Sequence, residues 1–193
     1  LPRIHSLPLD NPRPSIQAFR GHTLVSHIPL STVQRLKQYC AKHDATLFMG
    51  LQSVFSVLIS RYSNETDIVI GTPVANREFT ETQQLIGFFV NNLVIRNNLS
   101  ERITFEHLVE QSKETLLHAY EHQHVPFDQL VSRLQPERDL SYSPLFQIML
   151  SLQSHDDAEL CLPNATVTAL DFDSNSTQYD ITLTATEQND GLA

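Results

Sequence analysis

Tryptophan is absent from these 193 residues, and glycine, cysteine and methionine are scarce at five, two and two. The glycines stand apart at 21, 50, 71, 87 and 191, so there is no Gly-rich loop to cradle a phosphate. No Gly-x-Ser-x-Gly occurs, which excludes a serine hydrolase built on a nucleophile elbow. Basic residues are outnumbered: 13 Lys and Arg against 22 Asp and Glu give a formal charge of −9. Nucleic acids and anionic membranes reward the opposite sign, so neither is expected as a partner. No apolar run approaches the ~20 residues that cross a bilayer, and the longest, residues 86–95, is interrupted by Asn91 and Asn92. Residues 1–14 hold four prolines and no apolar stretch, so they do not read as a signal peptide. Cys40 and Cys161 lie far apart and read as unpaired thiols, which suits a reducing cytoplasm.

What is present is an ordinary globular composition, 40% hydrophobic and 18% charged. Residues 1–20 are proline-punctuated and read as a linker lying on a surface. A strand is expected over 22–30. Ser31 then opens a helix, with Gln34 completing a capping box and Val33, Leu36 and Cys40 forming its apolar stripe. A second helix follows from Thr46, with Leu47, Leu51, Val54, Phe55, Leu58 and Tyr62 expected on its buried face.

Residues 67–71 read as a buried strand, 72–84 as a loop and 85–96 as another strand. Thr104 caps a helix with the stripe Phe105, Leu108, Val109, Leu116 and Tyr120. Pro126 suits the first position of a short helix over 127–134, in which Phe127 is expected to be a buried anchor. Strands are expected at 146–152, 167–172 and 179–185, with a polar, mobile stretch at 153–165. The fold class is therefore α/β, a mixed sheet packed by helices.

The histidines are the first chemical temptation. His118 and His122 stand four apart near a helix end, with His124 following and His107 one face earlier. Two such residues can share a metal, but no clear third ligand accompanies them, and His124 lies past the expected helix end. The simpler reading is an exposed helix C-terminus, and no metal is expected. Arg138-Asp139 reads as a surface ion pair or as an anchor for the following strand. Asn91 and Asn92, inside an apolar segment, must find partners: either one satisfies a neighbouring loop, or one lines a cavity.

Several segments in order resemble motifs of the condensation domains of nonribosomal peptide synthetases. Leu7-Pro8-Leu9-Asp10-Asn11-Pro12-Arg13-Pro14 is similar to the linker that opens that family's C-terminal lobe. Gly71-Thr72-Pro73-Val74-Ala75-Asn76-Arg77 fits at the right place. Ile86-Gly87-Phe88-Phe89-Val90-Asn91-Asn92-Leu93-Val94-Ile95-Arg96 resembles Ile-Gly-x-Phe-Val-Asn-Thr-x-x-x-Arg, with Asn92 where Thr is common. His122-Gln123-His124-Val125-Pro126-Phe127-Asp128 resembles His-Gln-Asp-x-Pro-Phe-Glu, with His124 and Asp128 as its departures. Residues 138–147, from Arg138 and Asp139 to Gln147, resemble Arg-Asp-x-Ser-x-x-Pro-Leu-Phe-Gln.

The resemblance implies one half of a two-lobed, chloramphenicol-acetyltransferase-like domain: residues 1–20 as inter-lobe linker and 21–193 as a C-terminal lobe lacking its last elements. It implies amide-bond formation between thioesters held on the phosphopantetheine arms of donor and acceptor peptidyl carrier proteins, with no cofactor bound directly. An N-terminal lobe and an adjacent adenylation domain are the other implied partners. The family's His-His-x-x-x-Asp-Gly motif belongs to that other lobe and is missing here, so no catalytic residue is expected in this chain, which alone should be inactive.

By the same resemblance Gly87, Phe89 and Asn91 border the substrate tunnel, and Pro73, Asn76 and Arg77 belong to a loop closing its floor. His122, Gln123, Pro126, Phe127, Arg138 and Asp139 are structural. The inner surface, residues 87–91 or 72–84, should be exposed and apolar. Related readings are a non-catalytic carrier-docking module, a heterocyclisation domain and a free-standing acyltransferase using coenzyme A. An epimerisation domain is disfavoured by the missing tryptophan.

Overall fold

The computed structural model describes residues 1–99, 103–137, 139–153, 165 and 175–193. Arg138, Cys161, the expected strand at 167–172 and most of the polar stretch at 153–165 lie outside the described residues. The elements run β1 (Ile28–Pro29), α1 (Leu30–Lys42), α2 (Leu47–Ser63), β2 (Asp67–Val74), α3 (Thr80–Gln83), β3 (Asn91–Asn98), α4 (Phe105–Glu121), α5 (Phe127–Leu134), β4 (Ile148–Gln153), β5 (Ile181–Gln188) and β6 (Gly191–Leu192). The strands form one mixed sheet in the order β1-β6-β5-β4-β2-β3, with β4 parallel to both β2 and β5 and the other pairs antiparallel.

Alternation along the strands splits the core between the two faces of the sheet. Ile68, Ile70, Ile148 and Leu150 pack with Phe55 and Ile59 of α2 and Leu108 of α4. Leu93 and Ile95 meet Met49 and Leu116 on the same side. Val69, Val94 and Met149 point the other way, onto Phe127, Leu130 and Val131 of α5 and the buried Leu145, Phe146 and Tyr179. Gly71 permits the close seating of Phe146, because a β-carbon at residue 71 would run into that ring.

Caps account for two of the helix starts. Thr46 Oγ1 accepts from Met49 N–H at 3.3 Å, and Thr104 Oγ1 from His107 N–H at 3.2 Å. The capping box expected at Ser31 does not form. Helix α1 begins one residue earlier behind Pro29, and the Leu30 N–H donates instead to the Asp190 carbonyl at 2.8 Å. Cys40 is buried as expected, and burial pushes its thiol pKa up.

The buried face of α2 differs from the expected stripe. Val54, Leu58 and Tyr62 are exposed, while Gln52, Ser53 and Ser56 are buried. They belong to a polar seam between α2, α4 and β3. Ser53 Oγ donates to Ser112 Oγ at 2.9 Å, and Asn97 Nδ2 to the hydroxyls of Ser56 and Ser112 at 3.2 Å. Small hydroxyl residues let α2 and α4 approach closely, which turns the larger apolar residues outward. Phe105, also expected in a stripe, is partly exposed and rests against Tyr39 at 5.5 Å between ring centroids.

Strand boundaries differ too. Thr72, Pro73 and Val74 extend β2 instead of opening the loop, and residues 85–90 are irregular, β3 starting only at Asn91. Pro73 lies opposite Asn92, beyond the single recorded β2–β4 register position at Gly71↔Met149. There β2 has one neighbour, where a residue without an N–H is tolerated. Of the expected strand at 22–30 only Ile28 and Pro29 are paired.

Residues 1–20 are pinned to the rest of the chain through Asp180. The Arg13 guanidinium grips Asp180 with two bonds, at 3.1 and 2.5 Å, and His5 Nε2 meets the same carboxylate at 2.9 Å. Burial alone would raise the Asp180 pKa, but the His5 and Arg13 contacts outweigh it and lower it to about 2.

Candidate functional site

The candidate site is the irregular segment joining β2 to β3, together with the turn that braces its end. Chain reversal begins at Asn76, which adopts a left-handed backbone (φ 52°). The Arg77 guanidinium lies 4.2 Å from the centroid of the Phe89 ring and donates to the Thr82 carbonyl. This cation–π contact contributes about 0.5–1 kcal/mol and ties the two ends of the segment together. Gly87 lies against the same ring, 3.0 Å from where its β-carbon would stand. In the sequence Arg77 belongs to one motif and Gly87 and Phe89 to another; the fold unites them.

Around this small cluster the segment is apolar and bare. Phe79, Leu85, Ile86, Phe88 and Val90 are all exposed, Ile86 and Phe88 almost completely. Burying large apolar side chains is worth ~1.5–3 kcal/mol each, so such a group concentrated on one projecting segment marks an interaction surface.

The segment ends at Asn91, whose side-chain amide is fully committed. Its Nδ2 donates to the carbonyls of Gln123 and Val125, at 2.8 and 2.7 Å, and its Oδ1 accepts from Phe127 N–H at 3.0 Å. Of the two readings open for this residue, satisfying a neighbouring loop is the one observed. The Asn91 amide threads the turn His122-Gln123-His124-Val125-Pro126-Phe127 and stands in for the missing side-chain cap at the start of α5, where Pro126 offers none. Asn92 Nδ2 reaches the Tyr179 hydroxyl at 3.5 Å, and burial raises the pKa of that hydroxyl despite the Asn92 contact.

Phe127 is only partly buried and Pro126 is exposed, so the anchor is shallower than expected. Its ring still makes an edge contact with Phe146 at 5.6 Å, and Phe146 in turn lies 5.0 Å from Tyr179. Asp139 is exposed, and its Oδ1 accepts from Ser141 N–H at 2.8 Å. The Ser141 hydroxyl, followed by that main-chain bond, holds its carboxyl below the ordinary range.

His118, His122 and His124 do not converge. Among the described residues, the one group of three potential metal ligands with ligand atoms within 4.8 Å of one another is His43, Glu106 and Glu110, on the α1–α4 side. No helix among the described residues is long and apolar enough to cross a membrane.

Comparison with known proteins bears directly on this arrangement. The chain matches the Condensation domain family over residues 1–193. It is 39% identical over 191 residues to malpinin synthetase of Mortierella alpina, covering 99% of this chain and 2% of that protein. Its fold superimposes on the X-domain from teicoplanin biosynthesis with a TM-score of 0.92 at 26% identity, over 100% of this chain and 44% of that one. The same X-domain is known in complex with OxyB. Against the four-domain nonribosomal peptide synthetase holo-AB3403 the TM-score is 0.87 at 32% identity, over 99% of this chain and 16% of that one. The chain thus spans a small part of its relatives. A family match from first residue to last, with three of the expected motifs meeting at one braced segment, places this chain in the condensation domain family of nonribosomal peptide synthetases.

Proposed function

We propose that residues 21–193 act as the C-terminal lobe of a condensation domain that forms an amide bond between two carrier-bound thioesters. The observation that carries this reading is the bare apolar segment of Phe79, Leu85, Ile86, Phe88 and Val90. Its two ends are tied together by the Arg77–Phe89 contact, and the Asn91 clamp fixes it where β3 begins. Its partner is the N-terminal lobe, which brings the catalytic histidine. Gly87, Phe89 and the main chain at Asn91 form one wall of the space between the lobes, and Pro73, Asn76 and Arg77 shape its floor.

The phosphopantetheine arms of the donor and acceptor carrier proteins enter as parts of the substrates. With its amide committed to Gln123, Val125 and Phe127, Asn91 holds the wall in place and leaves the chemistry to the other lobe. Positioned acid–base help contributes ~10²–10⁴-fold and alignment of the reactants more, so a single lobe lacks both. The protein works in the cytoplasm, beside an adenylation domain in the same synthetase.

Two variants of the whole condensation domain test this. Ile86→Asp and Phe88→Asp each place a charge in the proposed interface. Amide formation from two loaded carriers should fall at least ~100-fold, for a charge buried without a partner, while the melting temperature of the 193-residue chain alone stays unchanged. Full activity in both variants, or condensation by this chain alone, would refute the reading. The X-domain similarity favours a second one, in which the lobe serves as a docking surface for a partner protein. Under that reading the same variants abolish partner binding in a titration, and the intact domain forms no amide.

A further inference from the structure

Strands β4 and β5 run parallel, with Ile148 opposite Ile181. The two residues before each strand stay paired. The Asp180 N–H donates to the Gln147 carbonyl at 2.9 Å, and the Phe146 and Tyr179 rings lie 5.0 Å apart. Side chains alternate along extended chain, so these two dipeptides put their rings on one side and Gln147 and Asp180 on the other.

The polar side receives residues 3–17. Asp180 takes the Arg13 guanidinium with both oxygens and His5 Nε2 with one. The Leu7 N–H donates to His5 Nδ1 at 3.2 Å, so the proton of that ring sits on Nε2 and is donated to Asp180. Gln147 is buried; its Oε1 accepts from the His5 N–H at 3.3 Å. Its Nε2 donates to the Ser143 carbonyl at 2.9 Å and to the Arg3 carbonyl at 3.4 Å. Arg13 also reaches the Ser141 carbonyl at 3.2 Å, and the Gln17 N–H reaches that of Leu140 at 2.8 Å. Residues 3–17 are thereby seated on residues 140–147 and on the head of β5.

The ring side faces the candidate site. Phe146 meets the Phe127 ring edge-on at 5.6 Å, and the Phe127 N–H is the one that Asn91 Oδ1 holds. The Tyr179 hydroxyl accepts from Asn92 Nδ2 at 3.5 Å. Two routes thus leave the seat of residues 3–17 and end on consecutive residues, Asn91 and Asn92, where the apolar segment joins β3. Both pass through close-packed rings: Phe146 is 1% exposed and Tyr179 7%, with Phe146 seated against Gly71. Interiors packed to that degree pass a displacement on instead of absorbing it.

We propose that Phe146-Gln147 and Tyr179-Asp180 are positioning residues for the candidate site. They transmit the seating of residues 3–17 to Asn91 and Asn92, and so fix where the apolar segment stands. The consequence for amide formation rests on the reading of that segment as a wall of the space between the lobes; the coupling itself does not.

Hydrogen exchange in the 193-residue chain tests the coupling. The Phe127 amide reports the Asn91 clamp, and the amides of the β2–β3 ladder at residues 68–71 report overall opening. Asp180→Asn keeps the shape of the side chain and loses its charge. It should speed exchange at Phe127 by about 2–30-fold more than in the ladder, the range that coupling through packed side chains covers. Arg13→Gln should do the same, and the double variant should do no more than either alone. Thr46→Ala, which removes the α2 cap, should move both sets of amides together. In the whole condensation domain, well below its melting temperature, Asp180→Asn should lower kcat by about 2–30-fold and leave KM for both loaded carriers unchanged. Equal acceleration at Phe127 and in the ladder, or multiplying effects of the two substitutions, would overturn the proposal. So would an unchanged kcat in a domain whose parent forms the amide. If the parent domain forms none, the proposed function fails and the exchange result alone decides the coupling.

Discussion

Replacing Asn91 by alanine removes three hydrogen bonds at once, and the loss can be sized from its partners. The carbonyls of Gln123 and Val125 lose their donors, and the Phe127 N–H loses its acceptor. A hydrogen bond contributes about 0.5–1.5 kcal/mol net, and the site is half-buried, so Asn91→Ala should cost about 2–4 kcal/mol. For a chain of this size each kcal/mol moves the melting temperature by about 2–4 °C, giving a fall of roughly 4–16 °C. Asn91→Asp provides the sharper comparison. Its carboxylate still accepts from Phe127 but confronts two carbonyl oxygens with lone pairs, so it should be at least as damaging as alanine despite its near-identical shape. Thermal unfolding followed by circular dichroism measures both. An Asn91→Ala loss below about 0.5 kcal/mol, with Asn91→Asp equal to the parent, would refute the clamp. Slowed condensation at unchanged stability in the whole domain would return Asn91 to the tunnel.

Gly71→Ala places a methyl group in the ring of Phe146, a backbone-against-core clash that should cost at least about 2 kcal/mol; Phe146→Leu in the same chain should recover part of that loss, and no recovery would mean the clash lies elsewhere. The Asp180 carboxyl is held at about 2, below its unfolded value, by His5 and Arg13 against the opposing effect of burial. Its stabilisation is therefore complete above pH ~4 and lost as pH falls through about 2, worth about 2 kcal/mol in all. Asp180→Asn should remove that share at pH 7 and flatten the acid limb of the stability curve; an unchanged limb would show that the residue 1–20 segment is not anchored there.

The legible parts of the fold were those governed by one local rule. Thr46 and Thr104 cap the helices they precede, and residues 67–71 form a strand buried on both faces. The failures share a cause, since each depended on a partner distant in sequence. The α1 start is decided by the Asp190 carbonyl 160 residues away, which takes the Leu30 amide before Ser31 can act. The α2 face is decided by Ser112 and Asn97, whose hydrogen bonds make serines more valuable inside than the valine and leucine that hydropathy would place there. Residues 85–90 carry strand-forming side chains but pair with no strand among the described residues, so propensity yields to topology. At the candidate site the residue types were legible and their connections were not. No periodicity could show that Asn91 closes on the turn of Gln123 and Val125, or that Arg77 stacks on Phe89.

Asn91, Asp139 and Arg77 make hydrogen bonds within the chain, whereas their apolar neighbours in the β2–β3 segment stand exposed. The Asn91 amide has all its strong partners in the main chain, and Asp139 is turned onto Ser141. Arg77 is occupied by the Thr82 carbonyl and the Phe89 ring. The segment they fix offers its surroundings hydrocarbon: Ile86, Phe88, Val90, Leu85 and Phe79. Asn91 and Arg77 thus hold the segment in a shape that irregular backbone would otherwise abandon, ordering each residue at an entropic cost of ~1–2 kcal/mol. What this segment presents to its surroundings is that fixed apolar shape.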